Sequence, residues 1–127
     1  MTPEEALLKA ADHIAEFGWH QGALYDHDAL DRAKADPDFP KIGGFPFGWQ
    51  EEAPSCAMGA VGIVVNGDAF KCDAVEGAAV ELLRQSLGLR DHSWPSDGLM
   101  HPVAKWNDDP NRTAEDVILA MKKAATG

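Results

Sequence analysis

Cys56 follows Ser55 and leads into Ala57-Met58-Gly59-Ala60, so the sequence places its thiol at the start of a helix. There the helix dipole and unpaired amides lower a thiol pKa and favour the thiolate. A nucleophilic cysteine also needs a base, and the base needs a group that orients it. His20, His92 or His101 has the right chemistry for the base, and Asn107 for the orienting group. Such a trio meets in space rather than in sequence. The competing reading is packing: a cysteine beside Ala and Gly on an apolar helix is a small core residue. The segment's composition favours packing.

Metal and phosphate chemistry have less support. Asp26-His27-Asp28 clusters hard ligands, but three consecutive side chains point in different directions on a helix or turn. The histidines at 13, 20, 27, 92 and 101 show no zinc spacing. Gly43-Gly44 and Gly59-x-x-Gly62 lack the strand and Lys-Ser/Thr that frame a phosphate loop. No metal and no cofactor are expected.

The elements that would position these groups announce themselves by their starts. Thr2-Pro3-Glu4-Glu5 reads as a capping box with proline at the first helical position. Leu7, Ala11 and Ile14 share the face behind it, and Gly18 stops the helix. Asp73-Ala74-Val75-Glu76 repeats that grammar before Val75, Ala79, Leu82 and Leu83, with Gly88-Leu89 as a left-handed end. Thr113-Ala114-Glu115-Asp116 repeats it again before Val117, Ile118, Met121, Ala124 and Ala125. Between them, Ser55 is expected to cap an almost wholly apolar helix through Val65, closed by Asn66-Gly67. The rival is a hairpin with Asn66-Gly67 as its turn; the capping serine and the alanines favour the helix. Two shorter helices are expected, one from His27 to Ala35 behind Asp26 and one from Pro102 through Trp106. The fold class is therefore all-α: one compact domain over residues 1–127, with about five helices around the apolar helix that starts near Cys56.

Residues 37–54, PDFPKIGGFPFGWQEEAP, read as an irregular loop with Phe39, Phe45, Phe47 and Trp49. Such loops are often functional. Its aromatics either fold back on the core as a lid or, exposed, form a binding patch.

The totals limit what the protein can touch. The chain has 127 residues with 11 basic and 21 acidic side chains, a formal charge of −10. Phosphate backbones and anionic membranes repel such a body, so no direct nucleic-acid or membrane contact is expected. The acids are scattered rather than spaced like phosphates, which reads as a solvated surface and not a DNA mimic. No apolar run reaches membrane-span length, and MTPEEALLKA lacks a basic leader before an apolar stretch, so a cytoplasmic location is expected. The two cysteines, Cys56 and Cys72, form no Cys-x-x-Cys motif and are not expected to pair.

Trp106-Asn107-Asp108-Asp109-Pro110-Asn111-Arg112-Thr113 reads first as a joint between two helices. Trp106 should pack inward beside Val103 and give its indole N–H an acceptor. Asn107 and Asp108 should bond nearby backbone. Arg112 is placed to pair with Asp108, Asp109 or Glu115. The functional alternative has Trp106, Asn107 and Arg112 rim a recognition pocket.

Gly18-Trp19-His20-Gln21-Gly22, Cys56-Ala57-Met58-Gly59-Ala60, Leu87-Gly88, Trp106-Asn107-Asp108 and Arg112-Thr113 through Val117 together resemble a family of small proteins of unknown function from actinobacteria and their phages. The likeness covers most of the chain, with a longer connection between Asp26 and Pro54 than the family's usual one. It implies a shared helical fold and a bacterial or phage origin, and it carries no activity. Two functional classes follow. One is a small acidic interaction module that binds another protein through Phe45, Phe47, Trp49, Trp106, Asn107 or Arg112. The alternative is a thiol-dependent, hydrolase-like enzyme built on Cys56 with His101 and Asn107.

Overall fold

The computed structural model describes residues 1–22, 27–43, 45–46, 49–67, 73–89 and 101–127. Among them the chain forms six α-helices: α1 Pro3–Phe17, α2 His27–Ala35, α3 Ala57–Asn66, α4 Ala74–Ser86, α5 Pro102–Asn107 and α6 Ala114–Thr126. No helix among the described residues is long and apolar enough to cross a membrane.

The polar starts are where the sequence puts them. Thr2 accepts from the Glu5 amide at 3.1 Å, and Asp73 accepts from the Glu76 amide at 2.8 Å. At Thr113 both halves of the capping box form: Asp116 N–H donates to the Thr113 hydroxyl at 3.2 Å, and Thr113 N–H to the Asp116 carboxylate at 3.0 Å. Each bond satisfies an amide that the helix itself leaves orphaned. At the end of α4, Gly88 adopts φ +68°, and the Gly88 and Leu89 amides turn back to the Gln85 and Arg84 carbonyls. This is the Schellman closure that the Gly-Leu pair predicts.

The segment after Ser55 is a helix and not a hairpin, and Gly67 closes it in the left-handed conformation at φ +73°. Its start differs by one residue from the sequence expectation. Cys56, not Ser55, is the cap, with its Sγ accepting from the Gly59 amide at 3.3 Å. The reason lies upstream. Ser55 is held extended as a parallel bridge to Trp19, so Cys56 is the first residue free to turn into the helix.

One core joins α1, α3, α4, α5 and α6, with Leu7, Val61, Leu83, Val103, Val117 and Met121 fully buried. α1 touches α3, α4 and α6, so it shares the centre with α3. Fully buried Ala6, Ala10 and Ala11 let those neighbours approach α1 closely.

Residues 37–54 are less irregular than the sequence suggests. Lys41–Ile42 (β1) and Phe45–Pro46 (β2) pair antiparallel, and Trp49–Glu52 form a 3₁₀ turn. Gly43 at φ +59° supplies the left-handed backbone the ribbon's turn needs. Trp49 is 8% exposed and joins Ala33, Ala53 and Ile63 in a second, smaller core, with Ala29, Leu30 and Phe39 packed beside it. The Trp49 expected in a binding patch is therefore a lid on the core, because only there does its large ring leave water. Phe47, His92, Cys72, the Asp26 cap and the side chains of Phe45 and His27 lie outside the described residues.

Candidate functional site

Three short segments, distant in sequence, meet at Asn107. α1 ends at Gly18, whose φ of +108° turns the chain sharply away from the helix axis. Residues 19–22 then run past the start of α3. The Ser55 amide donates to the Gly18 carbonyl at 3.3 Å, and the His20 amide donates to the Ser55 carbonyl at 3.0 Å. α5 delivers Asn107 into the corner between them, where it is fully buried.

A primary amide has two acceptor lone pairs and two N–H donors. Asn107 uses all of them. Its Oδ1 accepts from the Trp19 indole at 2.7 Å and from the Ala57 amide at 3.0 Å. Its Nδ2 donates to the His20 carbonyl at 3.2 Å and to Asp108 Oδ1 at 3.1 Å. A second ring of bonds surrounds it. Gln21 Nε2 donates to the Asn107 and Asp109 carbonyls, at 3.0 and 2.8 Å, and the Gly22 amide donates to Asp108 Oδ1 at 2.9 Å. The local-backbone role expected of Asn107 is thus replaced by long-range bonds to α3 and to the strand-like segment after α1. Trp19 and Gln21 belong to this junction although neither is a candidate in the sequence, and Asp108, expected to bond nearby backbone, accepts from the distant Gly22 amide. The available signal was a Trp and a Gln with hydrogen-bonding side chains between two glycines, directly after a helix stop.

The Cys56 thiol sits beside this junction and is 5% exposed. Burial pushes its pKa up, and the Asp108 charge adds to that; the Gly59 and Met58 amides pull the other way and do not prevail. Its hydrogen bond is to the Gly59 amide, and among the described residues no histidine bonds to it. Asn107 has no free polar atom with which to orient a base, and His101 Nδ1 accepts from the Val103 amide at 3.1 Å as the cap of α5. The structure does not bring Cys56, His101 and Asn107 together as a catalytic set. Next to Cys56, the Ser55 hydroxyl is buried with no partner among the described residues.

On its outer side the joint borders a cleft of about 670 Å³. Leu89, Pro102, Trp106 and Pro110 give it apolar walls, and Lys105, Asp108, Asp109 and Arg112 its charges. The volume falls in the usual range for ligand sites. The Arg112 guanidinium lies 4.1 Å from the centre of the Trp106 ring, and its Nε donates to the Trp106 carbonyl at 3.1 Å. That stacking fixes both side chains. Leu89 is held in place by Arg84, whose Nη1 donates to the Leu89 carbonyl at 2.7 Å while its other nitrogens grip Glu81. Of the sequence candidates, Trp106 and Arg112 line the cleft, and Asn107 lies behind its wall. The indole N–H expected to need an acceptor inside is satisfied at Trp19; at Trp106 it has no partner among the described residues. Among the described residues, no group of three or more His, Cys, Asp or Glu converges as metal ligands.

The segments that meet here are the ones whose pattern stands out in the sequence, and the match to known proteins extends over them all. The model of a family of unknown function, DUF6197, matches residues 1–127. The chain belongs to DUF6197. No curated protein and no solved structure matches it. In this DUF6197 member the junction and its cleft bring together the chain's most distinctive polar and aromatic residues.

Proposed function

We propose that this protein is a small acidic interaction module that binds another protein through the cleft at the α5–α6 joint and performs no catalysis itself. The observation that carries the reading is the half-buried Trp106 clamped under Arg112 on a floor fixed by the Asn107 network. Trp and Arg are the residue types that most often anchor interfaces. A prearranged pair loses little side-chain freedom on binding, which leaves more of the contact energy as affinity. The burial of Trp49 moves the proposed contact from the 37–54 segment to this cleft.

The alternative enzyme, with Cys56 as nucleophile, gains no support from a thiol that is buried, pushed toward its neutral form and used as a helix cap. The charge of −10 speaks against nucleic acid as the direct ligand. The likeness to actinobacterial and phage proteins extends the proposal to a bacterial or phage product that works in the bacterial cytoplasm.

The test is a photo-crosslinker placed at position 105 and used in actinobacterial lysate, with parallel capture by wild type, Trp106→Ala and Arg112→Ala. We expect a protein cross-linked at 105 that both substitutions release, with Leu119→Ala, an exposed change on α6, retaining it. Capture that is equal for wild type and both cleft variants would end the proposal.

A further inference from the structure

We propose that His101 acts as a proton-operated catch on the first turn of α5: the neutral imidazole holds the turn, and with it the Pro102 wall of the cleft, and the protonated imidazole releases both. Pro102 stands at the start of the helix and has no N–H to place. The Val103 amide is therefore the first in α5 that needs an acceptor. It finds one in His101 Nδ1, at 3.1 Å. A ring nitrogen accepts only while it carries no proton, so this bond requires the neutral tautomer with its proton on Nε2. The hydroxyl and carboxylate caps at Thr2, Asp73 and Thr113 keep their acceptors throughout the neutral range. A histidine cap is the one kind that protonates close to neutral pH.

Protonation acts on α5 twice. It turns the Nδ1 acceptor into a donor facing the Val103 amide, and it sets a positive charge at the positive end of the helix. Val103 is fully buried, so water replaces the lost acceptor only if the turn opens. α5 has six residues, and one cap is a large share of what keeps so short a helix wound. Its far end is fastened separately, because Asn107 is tied to Trp19, His20 and Ala57. Opening is thus confined to the first turn, where the Lys105 amide donates to the His101 carbonyl at 3.0 Å.

The surrounding charges do not reverse this. α5 packs on α3 and α4, and α3 carries no charged side chain. On α4, Glu81 attracts a protonated His101, but its carboxylate is open to solvent and already gripped by the Arg84 guanidinium. On α5 itself, Lys105 lies one turn along and opposes the added charge. Where the cleft binds protein as proposed, the catch makes that binding weaker in acid.

The experiment measures amide exchange by NMR in the ¹⁵N-labelled full chain at about pH 7.5 and about pH 5, either side of the ordinary histidine value of about 6.5. Rates are read as protection, corrected for the intrinsic pH dependence of exchange. His101→Asn is the matched control, because asparagine caps a helix and does not titrate. On acidification, protection of the Val103 and Lys105 amides should fall about fivefold in wild type, the scale of one lost cap, and should hold in His101→Asn. Unchanged dispersion of the indole signals shows that the variant is folded. The His101 Cε1–H signal, assigned by its loss in His101→Asn, should titrate over the pH range in which protection falls. His13 titrates in both proteins, so its effect drops out of the comparison. An equal fall in His101→Asn, unchanged protection in wild type, or a His101 titration outside that range would overturn the catch. The chain is measured alone, so none of these outcomes depends on whether the cleft captures a partner.

Discussion

The segment from Pro37 to Pro54 and the joint from Trp106 to Thr113 look alike in sequence: each is a proline-containing connection with a prominent tryptophan. They use that tryptophan in opposite ways. Trp49 turns inward and seals a small apolar cluster. Trp106 stays half-buried and walls a cleft, while the polar residue after it is the one fully buried. The difference follows from what fastens each connection. The first is held by apolar contact and a bond between His13 Nε2 and the Ala53 carbonyl at 2.8 Å. The second is tied to two distant segments by a complete set of hydrogen bonds. Apolar burial is non-directional and draws a ring to whatever dry surface is near. Hydrogen bonds are directional and can hold a ring at the surface in one orientation.

The contrast can be broken most forcefully at Asn107. Asn107→Leu leaves the buried Ala57 amide and the half-buried Trp19 indole and His20 carbonyl without partners, and should destabilise the fold by about 3 kcal/mol in denaturant unfolding. A loss under about 1 kcal/mol would mean the network is ornamental. Trp49→Ala should cost about 3 kcal/mol. Its hydrogen-exchange signature should be confined to α2, residues 37–54 and the turn of α3 around Ile63, because those elements build that cluster. Exchange that spreads evenly through α1 and α6 would contradict the division. A matched pair then sharpens the comparison. Trp19→Phe removes the donor to Asn107 and should cost about 1–2 kcal/mol, whereas Trp106→Phe, whose N–H has no partner among the described residues, should stay within about 0.5 kcal/mol. Equal losses would refute the distinction between the two indoles.

The smallest effect concerns pH. Burial pushes the His13 imidazole below its ordinary 6.5, against the upward pull of the Ala53 carbonyl and Glu16. The folded chain therefore favours neutral His13. That contribution is complete above pH 6.5 and is lost as pH falls through 6.5 toward the lower folded value. The denaturant midpoint of wild type should drop more across that window than that of His13→Gln, whose amide keeps a donor for Ala53 without a proton to gain. Parallel pH profiles would show that this fastening does not titrate.

The sequence by itself determined the helices. Thr2, Asp73 and Thr113 act on amides three residues away, Gly88 and Gly67 act on the backbone at their own positions, and the apolar stripes repeat at helical spacing, so nothing remote was needed to read them. The one-residue displacement at Ser55 marks the limit of that locality: its backbone answers to Trp19, 36 positions earlier in the chain. Only the tertiary structure decided what the polar motif residues do. Asn107 is a short amide next to a turn, and in sequence such a residue bonds its neighbours. Whether it instead joins the ends of α1 and α3 depends on where three helices cross, and that is set by packing among side chains far apart in sequence. The same crossing settled which tryptophan was sealed in and which was left facing the cleft.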